Sequence, residues 1–449
     1  MPRSRPAGSR GLGRLLSKQD REIFALAVPA FATLLSEPLL LLADSAIVGH
    51  LGTTQLAGLG LAANVLAFLV GLAIFLAYGT TGTVARRLGA GDRAGAMTGG
   101  LDGMVLAVLL GVLLCVALQL AMPAVLGIYR ADAEVTAAAT SYLRIAALGL
   151  PSVLLVLAST GVLRGLHDTK TPLFVVIATN LANIGLNVLF VYGLGFGIAG
   201  AALGTLIAQT GAAVVLAVFV IRAARRNGAR LRFRPLGILS AARTGVWLVI
   251  RTAALQAGYT ITVMVAATGG ATALAAHQVV GSLWTLLAFA LDSIAIAAQA
   301  IIGTALGAGD TERGRAAMRR MIGWGVVSGI AFGIIALVAR PLYVGLFTPD
   351  PEVVRLITAV LVVVVIITPI AGVTYVLDGI LIGAGDGRYL ALAGLVALAA
   401  YLPLAFLVGS NRAGLVWLWI AWGGYMAARV ITLLVRARGT AWLRTGATV

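Results

Sequence analysis

Charge is what this sequence has least of. Charged residues make up 11% of its 449 positions, and only 16 are acids. A soluble globular chain carries about 25% charged residues, so too little polar surface is left to cover a water-facing fold. The single cysteine, Cys115, excludes an intrachain disulfide and reads as a small core residue in an apolar run. Histidine is nearly as scarce: His50, His167 and His277 all fall near the ends of apolar runs. They form neither a His/Cys cluster for a transition metal nor the base of a nucleophile triad. No enzyme and no cofactor are expected. The stretch Leu88-Gly89-Ala90-Gly91-Asp92 lacks the lysine of a phosphate loop and follows no strand, so it reads as a helix cap and tight turn.

What is present is apolar. Hydrophobic residues reach 60% and mean hydropathy is +1.01. The apolar runs exceed the roughly 20 residues that a helix needs to cross a bilayer. They are continuous, without the alternation of barrel strands. Backbone polar groups in lipid must then be satisfied within each segment. The fold class is an all-α polytopic membrane protein, with the lipid bilayer as its solvent. Twelve spans are expected, with approximate cores at 23–48, 56–85, 99–122, 138–163, 172–193, 198–221, 245–267, 273–303, 322–347, 355–382, 389–409 and 414–435. The chain divides into an N-terminal tail (1–22), a first six-helix lobe (23–221), a basic linker (222–243), a second lobe (244–436) and a C-terminal tail (437–449).

The net charge of +17 sits in short connections rather than in a soluble basic domain, so no nucleic-acid partner is expected. Alternate connections hold 26 Lys and Arg on one side and only Arg130, Arg340, Arg355 and Arg412 on the other. Arg144, Arg251 and Arg429 fall inside spans. Lysine and arginine accumulate on the cytoplasmic side, which puts both termini in the cytoplasm.

The sequence repeats at an offset of 218. Leu88-Gly-Ala-Gly-Asp92 returns as Leu306-Gly-Ala-Gly-Asp310, and Gly161, Gly165 and Asp168 return as Gly379, Gly383 and Asp386. Pro123, Gly127 and Asp132 match Pro341, Gly345 and Asp350. Six spans per half make this a parallel repeat about an axis normal to the membrane, with substrate expected between the lobes near the midplane.

Polar groups inside the spans cost on the order of 2.5–3.5 kcal/mol when ionisable, so each needs a reason. Asp44 and Glu37, seven residues apart, share a face of span one. Pro38 beside Glu37 can kink that span. Span five carries Asn180, Asn183 and Asn187 on one stripe, and span six adds Thr205 and Gln209. Amides can serve as interhelical glue at about 0.6 kcal/mol per contact. With Asp44, however, they also make an oxygen-rich site for a proton relay or a monovalent cation. At offset 218, Asp44 maps to Thr262, Asn183 to Tyr401 and Asn187 to Ala405, so the stripe belongs to the first lobe alone. In the second lobe, Asp292, Asp378, Gln278 and Tyr259 are candidates for a substrate cavity, with Arg251 available to neutralise an acid.

These stretches resemble the multidrug and toxic compound extrusion (MATE) family, and its bacterial DinF-like branch in particular. The resemblance rests on Glu37-Pro-Leu-Leu-Leu-Leu-Ala-Asp44-Ser-Ala-Ile-Val-Gly-His-Leu51, Gly161–Pro172, Asn183–Gly193 and Ala273–Gln278, and it spans about residues 20–436. It implies two bundles of six helices and export coupled to inward H+ or Na+. By the same resemblance, Asp44 is the first-helix aspartate, Asn183 and Asn187 are the fifth-helix pair, Thr205 is the sixth-helix threonine, and Asp378 falls in the region of a tenth-helix acid. The family's second fifth-helix acid is here the amide Asn187. This leans toward H+ as the coupling ion, with Na+ at Asp44, Asn183, Asn187 and Thr205 as the alternative.

The expected function is a secondary-active efflux antiporter for an amphipathic or cationic small molecule, acting as a monomer in the bacterial inner membrane. The alternative is a flippase for a lipid-linked saccharide. Such a cavity would collect several inward-facing Arg or Lys, and the spans offer only Arg144, Arg251 and Arg429.

Overall fold

A computed structural model describes residues 17–229 and 232–448, so Arg230 of the linker and most of the N-terminal tail lie outside the described residues. Within them the chain is helical, with no strand. Twelve helices are long and apolar enough to span a membrane. In order they are Gln19–Gly49, Thr53–Gly89, Arg93–Gly127, Ala133–Gly165, Lys170–Gly193, Gly197–Arg226, Pro235–Thr268, Gly270–Gly307, Thr311–Val338, Pro351–Gly383, Gly387–Ser410 and Leu415–Arg438. They are called the first to twelfth spans below.

The spans reach further toward the basic face than their apolar cores do. Arginine is a good helix former and its aliphatic stem can snorkel, so the sixth span continues through Arg226 and the seventh opens at Pro235. Helix thus replaces much of the expected 222–243 linker. The ninth span shows the opposite departure. It stops at Val338, and a separate short helix, Arg340–Phe347, follows. Pro341 lacks an N–H and clashes with the preceding turn, which breaks a helix that hydropathy alone would run to 347.

The first and last described segments are docked on the basic face. Ser17 Oγ accepts the Asp20 N–H at 3.2 Å and Asp20 Oδ2 accepts the Ser17 N–H at 2.8 Å, a reciprocal cap that starts the first span earlier than position 23. Asp20 is fully buried and accepts from Arg320 Nε (2.6 Å), Arg320 Nη2 (2.5 Å) and Trp324 Nε1 (2.7 Å) of the ninth span. The C-terminal tail is likewise folded back over its described residues. Trp442 is buried and donates to the Ala437 carbonyl at 3.0 Å. The Gly446 N–H donates to Leu306 O at 3.1 Å.

The sequence repeat is also a repeat of contacts. A Cβ at Gly111 would overlap Pro151, and one at Gly329 would overlap Pro369. Gly161 packs on Ala77 as Gly379 packs on Ala295, and Gly165 packs on Thr81 as Gly383 packs on Gln299. Each pair is one contact displaced by 218. Small residues let membrane helices approach this closely, and dispersion then holds them. Where the lobes meet on the basic side, the relation becomes self-complementary. Gly89 abuts the Thr304 carbonyl, while Gly307 abuts the Arg86 carbonyl. Thr304 is the counterpart of Arg86, and Gly307 that of Gly89, so the second and eighth spans cross on the pseudo-twofold axis itself. Arg86, 3% exposed, secures the crossing by donating to Ala384 O (3.0 Å) and Arg444 O (2.5 Å).

The two Leu-Gly-Ala-Gly-Asp segments form matching turns. Gly91 and Gly309 adopt φ of +79° and +77°, a left-handed conformation natural only to glycine. Asp92 then caps Gly95 N–H (2.7 Å) and Asp310 caps Arg313 N–H (2.9 Å).

Candidate functional site

Three spans of the first lobe bring the predicted polar stripe to one point. Asn183 and Asn187 lie one helical turn apart on the fifth span and are completely buried, while Asp44 on the first span is 5% exposed. Asn187 Nδ2 donates to Asp44 Oδ1 at 2.8 Å and to Asn183 Oδ1 at 2.9 Å. Asn183 Nδ2 in turn donates to Thr205 Oγ1 on the sixth span at 2.9 Å, and that hydroxyl donates to Ala201 O at 3.0 Å. Donation therefore diverges from Asn187, one way to the first-span carboxylate and the other through Asn183 and Thr205 to the sixth-span backbone.

The chain leaves acceptors over. Asn187 Oδ1 is buried and has no partner. Asn187 already spends both amide protons, so the site presents oxygen rather than N–H to whatever enters beside Asp44. A carboxylate, amide oxygens and a hydroxyl gathered from three spans suit a proton or a small hard cation. The fit is made possible by Gly204, where a Cβ would overlap Asn187 Oδ1. Gly204 was not singled out from the sequence. Its signal was there, because Gly200 and Gly204, four apart, form the small-xxx-small pattern of a close helix crossing. The fifth span changes to a π-turn at Leu189–Gly193, directly after Asn187. There Tyr192 donates to Ile47 O at 2.5 Å, tying the turn to the first span three residues beyond Asp44.

Asn180 and Glu37 stand apart from this chain. Asn180 Nδ2 donates to Ser36 O at 3.0 Å, while Glu37 lies exposed on the first span. They belong to a second level, two helical turns from Asp44.

The two second-lobe acids have different surroundings. Asp378 is 3% exposed and enclosed by two arginines. Arg251 Nε donates to its Oδ1 at 3.1 Å and Arg251 Nη2 to its Oδ2, while Arg429 Nη2 donates to Oδ2 at 2.8 Å. The seventh and twelfth spans thus hold the tenth-span acid from both sides. A buried carboxylate with two guanidinium partners is a structural tie, and removing it strands two cations. Asp378→Ala should cost about 3–5 kcal/mol and lower the melting temperature of purified protein, whereas Gly345→Ala, with nothing near its Cβ, should leave it unchanged. Asp292 faces the other lobe, where Tyr78 Oη donates to its Oδ2 at 3.2 Å. Gln278 is exposed and Tyr259 half-buried.

At the position equivalent to the first-lobe site, the second lobe is aromatic. Thr262, the counterpart of Asp44, shares a 2.6 Å hydrogen bond with Tyr401, the counterpart of Asn183. Trp422 occupies the place of Gly204, with its ring 5.8 Å from Tyr401 and 4.9 Å from Tyr425. His277 is buried beside Trp419, at 5.8 Å between rings. Rings fill the space that holds oxygen atoms in the first lobe.

Comparison with known proteins agrees with this architecture. The sequence profile of the MatE family matches residues 29–189 and 238–407. The chain is 29% identical over 437 residues to DNA damage-inducible protein F of Escherichia coli, covering 93% of this chain and 92% of that one. It is 28% identical to the chloroplastic Protein DETOXIFICATION 44 of Arabidopsis thaliana, covering 93% and 82%. It is 24% identical to the probable multidrug resistance protein NorM of Thermotoga maritima, covering 89% and 88%. Among solved structures, a Vibrio cholerae MATE transporter superposes with a TM-score of 0.86 at 21% identity, covering 95% of this chain and 98% of that one. An outward-facing multidrug resistance MATE transporter gives 0.84 at 24% identity, covering 98% and 100%.

Proposed function

This chain belongs to the MatE family of membrane transporters, and on that premise we propose that it exports an amphipathic organic cation in exchange for an inward proton, with Asp44 as the group that carries the proton. The observation behind this reading is the buried Asp44–Asn187–Asn183–Thr205 chain with its unused acceptor. A carboxylate in a low-dielectric setting exchanges a proton for a compensating charge as its surroundings change. The same oxygens could ligate Na+, but Asn187 in place of a second acid leaves one carboxylate rather than a two-acid cage, which favours the proton.

The cycle follows from the two-lobe plan. The lobes are drawn together on the Arg-rich face by Gly89, Gly307 and Arg86, and the lysine and arginine excess of that face supports a cytoplasmic orientation for it. Export then requires this contact to open and reclose as the lobes rock about the site. The membrane is the bacterial cytoplasmic membrane, with both termini inside, and the working unit is one chain. Arg251 and Arg429 are spent on Asp378, which disfavours the flippase reading.

The coupling ion is tested in proteoliposomes loaded with a fluorescent cationic dye. An imposed pH gradient in Na+-free buffer should drive dye movement, and a Na+ gradient at uniform pH should not. The reverse result would assign the site to Na+.

A further inference from the structure

The basic face of the second lobe holds a cavity of about 510 Å³ that takes no part in the exchange described above. Arg243 and Trp247 come from the seventh span, Arg388 and Tyr389 from the start of the eleventh, Arg436 from the end of the twelfth, and Arg444 from the folded-back C-terminal segment. Asp386 is the acid of the lining, and it is already engaged by Arg436 Nε at 2.6 Å. Four arginines against one aspartate leave an excess of three positive charges. Arg243, Arg388 and Arg444 are exposed.

Comparison with the first lobe sharpens the assignment. Asp168 is the counterpart of Asp386 and caps its helix, accepting the Lys170 and Thr171 N–H groups at 3.1 and 3.0 Å. Asp386 turns to Arg436 instead, and no side chain caps the eleventh span. An uncapped helix start with its positive dipole end therefore opens among three exposed arginines, a combination suited to phosphate. The rest of the wall is suited to lipid. Leu392 is 49% and Trp247 37% exposed. The arginines sit over aromatic rings, Arg388 at 5.8 Å from Trp247 and Arg436 at 4.8 Å from Tyr389, as at a membrane interface.

We propose that this cavity binds the phosphate headgroup of an anionic phospholipid from the cytoplasmic leaflet. The headgroup offsets the repulsion among the arginines, and the acyl chains follow Trp247 and Leu392 into the bilayer. Bound lipid would also steady the segment carrying Arg444, whose carbonyl accepts from Arg86 of the first lobe. The assignment does not depend on which ion drives transport.

Native mass spectrometry of the detergent-purified full chain, titrated with phosphatidylglycerol or phosphatidylcholine, tests it. The wild type should retain phosphatidylglycerol in preference to phosphatidylcholine. The double variant R388Q/R444Q should bind phosphatidylglycerol about tenfold more weakly, while R319Q, which removes an exposed arginine on the ninth span, should bind like wild type. Equal retention of the two lipids by wild type would overturn the proposal, and this comparison needs no variant to fold. So would an equal loss in R319Q, which would reduce the effect to general surface charge. Displacement of the lipid by millimolar inorganic phosphate would overturn the lipid assignment in favour of a soluble phosphate compound.

Discussion

Asp44→Asn should abolish coupled efflux while leaving the fold intact. Reconstituted protein carrying this substitution is expected to move dye down a pH gradient no faster than protein-free vesicles do. The amide keeps the shape of the acid and can still accept from Asn187 Nδ2, so the Asn183–Thr205 chain survives. The stability cost should be about 1 kcal/mol, the scale of one altered hydrogen bond. What is lost is the ability to change charge. Efflux in the wild type should respond to pH, and the residual rate of the variant should not. If the variant retained pH-driven efflux at the wild-type rate, the proton would have to travel elsewhere. Asn187→Asp would then be informative, because it restores the second acid to the site and should raise affinity for Na+ if oxygen ligation is what the site can do.

The second large effect belongs to the crossing of the second and eighth spans. Any side chain at Gly307 would overlap the Arg86 carbonyl oxygen, and any at Gly89 the Thr304 carbonyl. Backbone cannot yield as a flexible side chain can, and overpacking of this kind costs about 1–3 kcal/mol or more. A cost of roughly 3 kcal/mol on the closed contact alone shifts a two-state equilibrium by more than a hundredfold. Gly307→Val should therefore hold the lobes apart on the basic face and stop turnover, with protein still folded and inserted. Spin labels at Arg93→Cys and Glu312→Cys, in a Cys115→Ser background, should report a longer distance than in the parent. The pseudo-twofold makes a stronger demand. Gly89→Val must produce the same change, because it breaks the symmetry-related half of one contact. An effect from one and not the other would mean that the two halves do not close as equivalents.

Much of this was legible in the sequence because the same physics writes twice. Close helix crossings need glycine at fixed places, and two lobes of one fold need it at the same places, so the offset of 218 is visible in sequence, although Gly89 and Gly307 read there as turn residues and their contact between the lobes did not show. The Asn183–Asn187 spacing showed a shared helical face for a similar reason. The pairing of that face with Asp44, 143 positions away, was inferred from the cost of burying polar groups in the spans and not from periodicity, because spacing within one helix does not specify its neighbour. Asp378 was read only in part: Arg251 was named as available to neutralise an acid, but neither which acid nor the second partner Arg429 was legible. Its partners come from the seventh and twelfth spans, 127 and 51 residues distant. Nothing local distinguishes an acid held by two arginines from one waiting for a substrate. The docked segments were illegible too. Asp20 and Trp442 sit in polar, basic stretches that look solvated, and only the lobe surface they cover explains why they are buried.

The replacement of the first-lobe oxygens by rings in the second lobe has a consequence for energetics. If Asp44 is the one exchangeable group, as proposed, with Thr262 and Tyr401 at the mirror position, one turnover carries one proton inward. If the exported molecule is a monovalent cation, the exchange is electroneutral. The membrane voltage would then neither assist nor oppose it, and the attainable concentration ratio would be set by the chemical gradient of the proton alone.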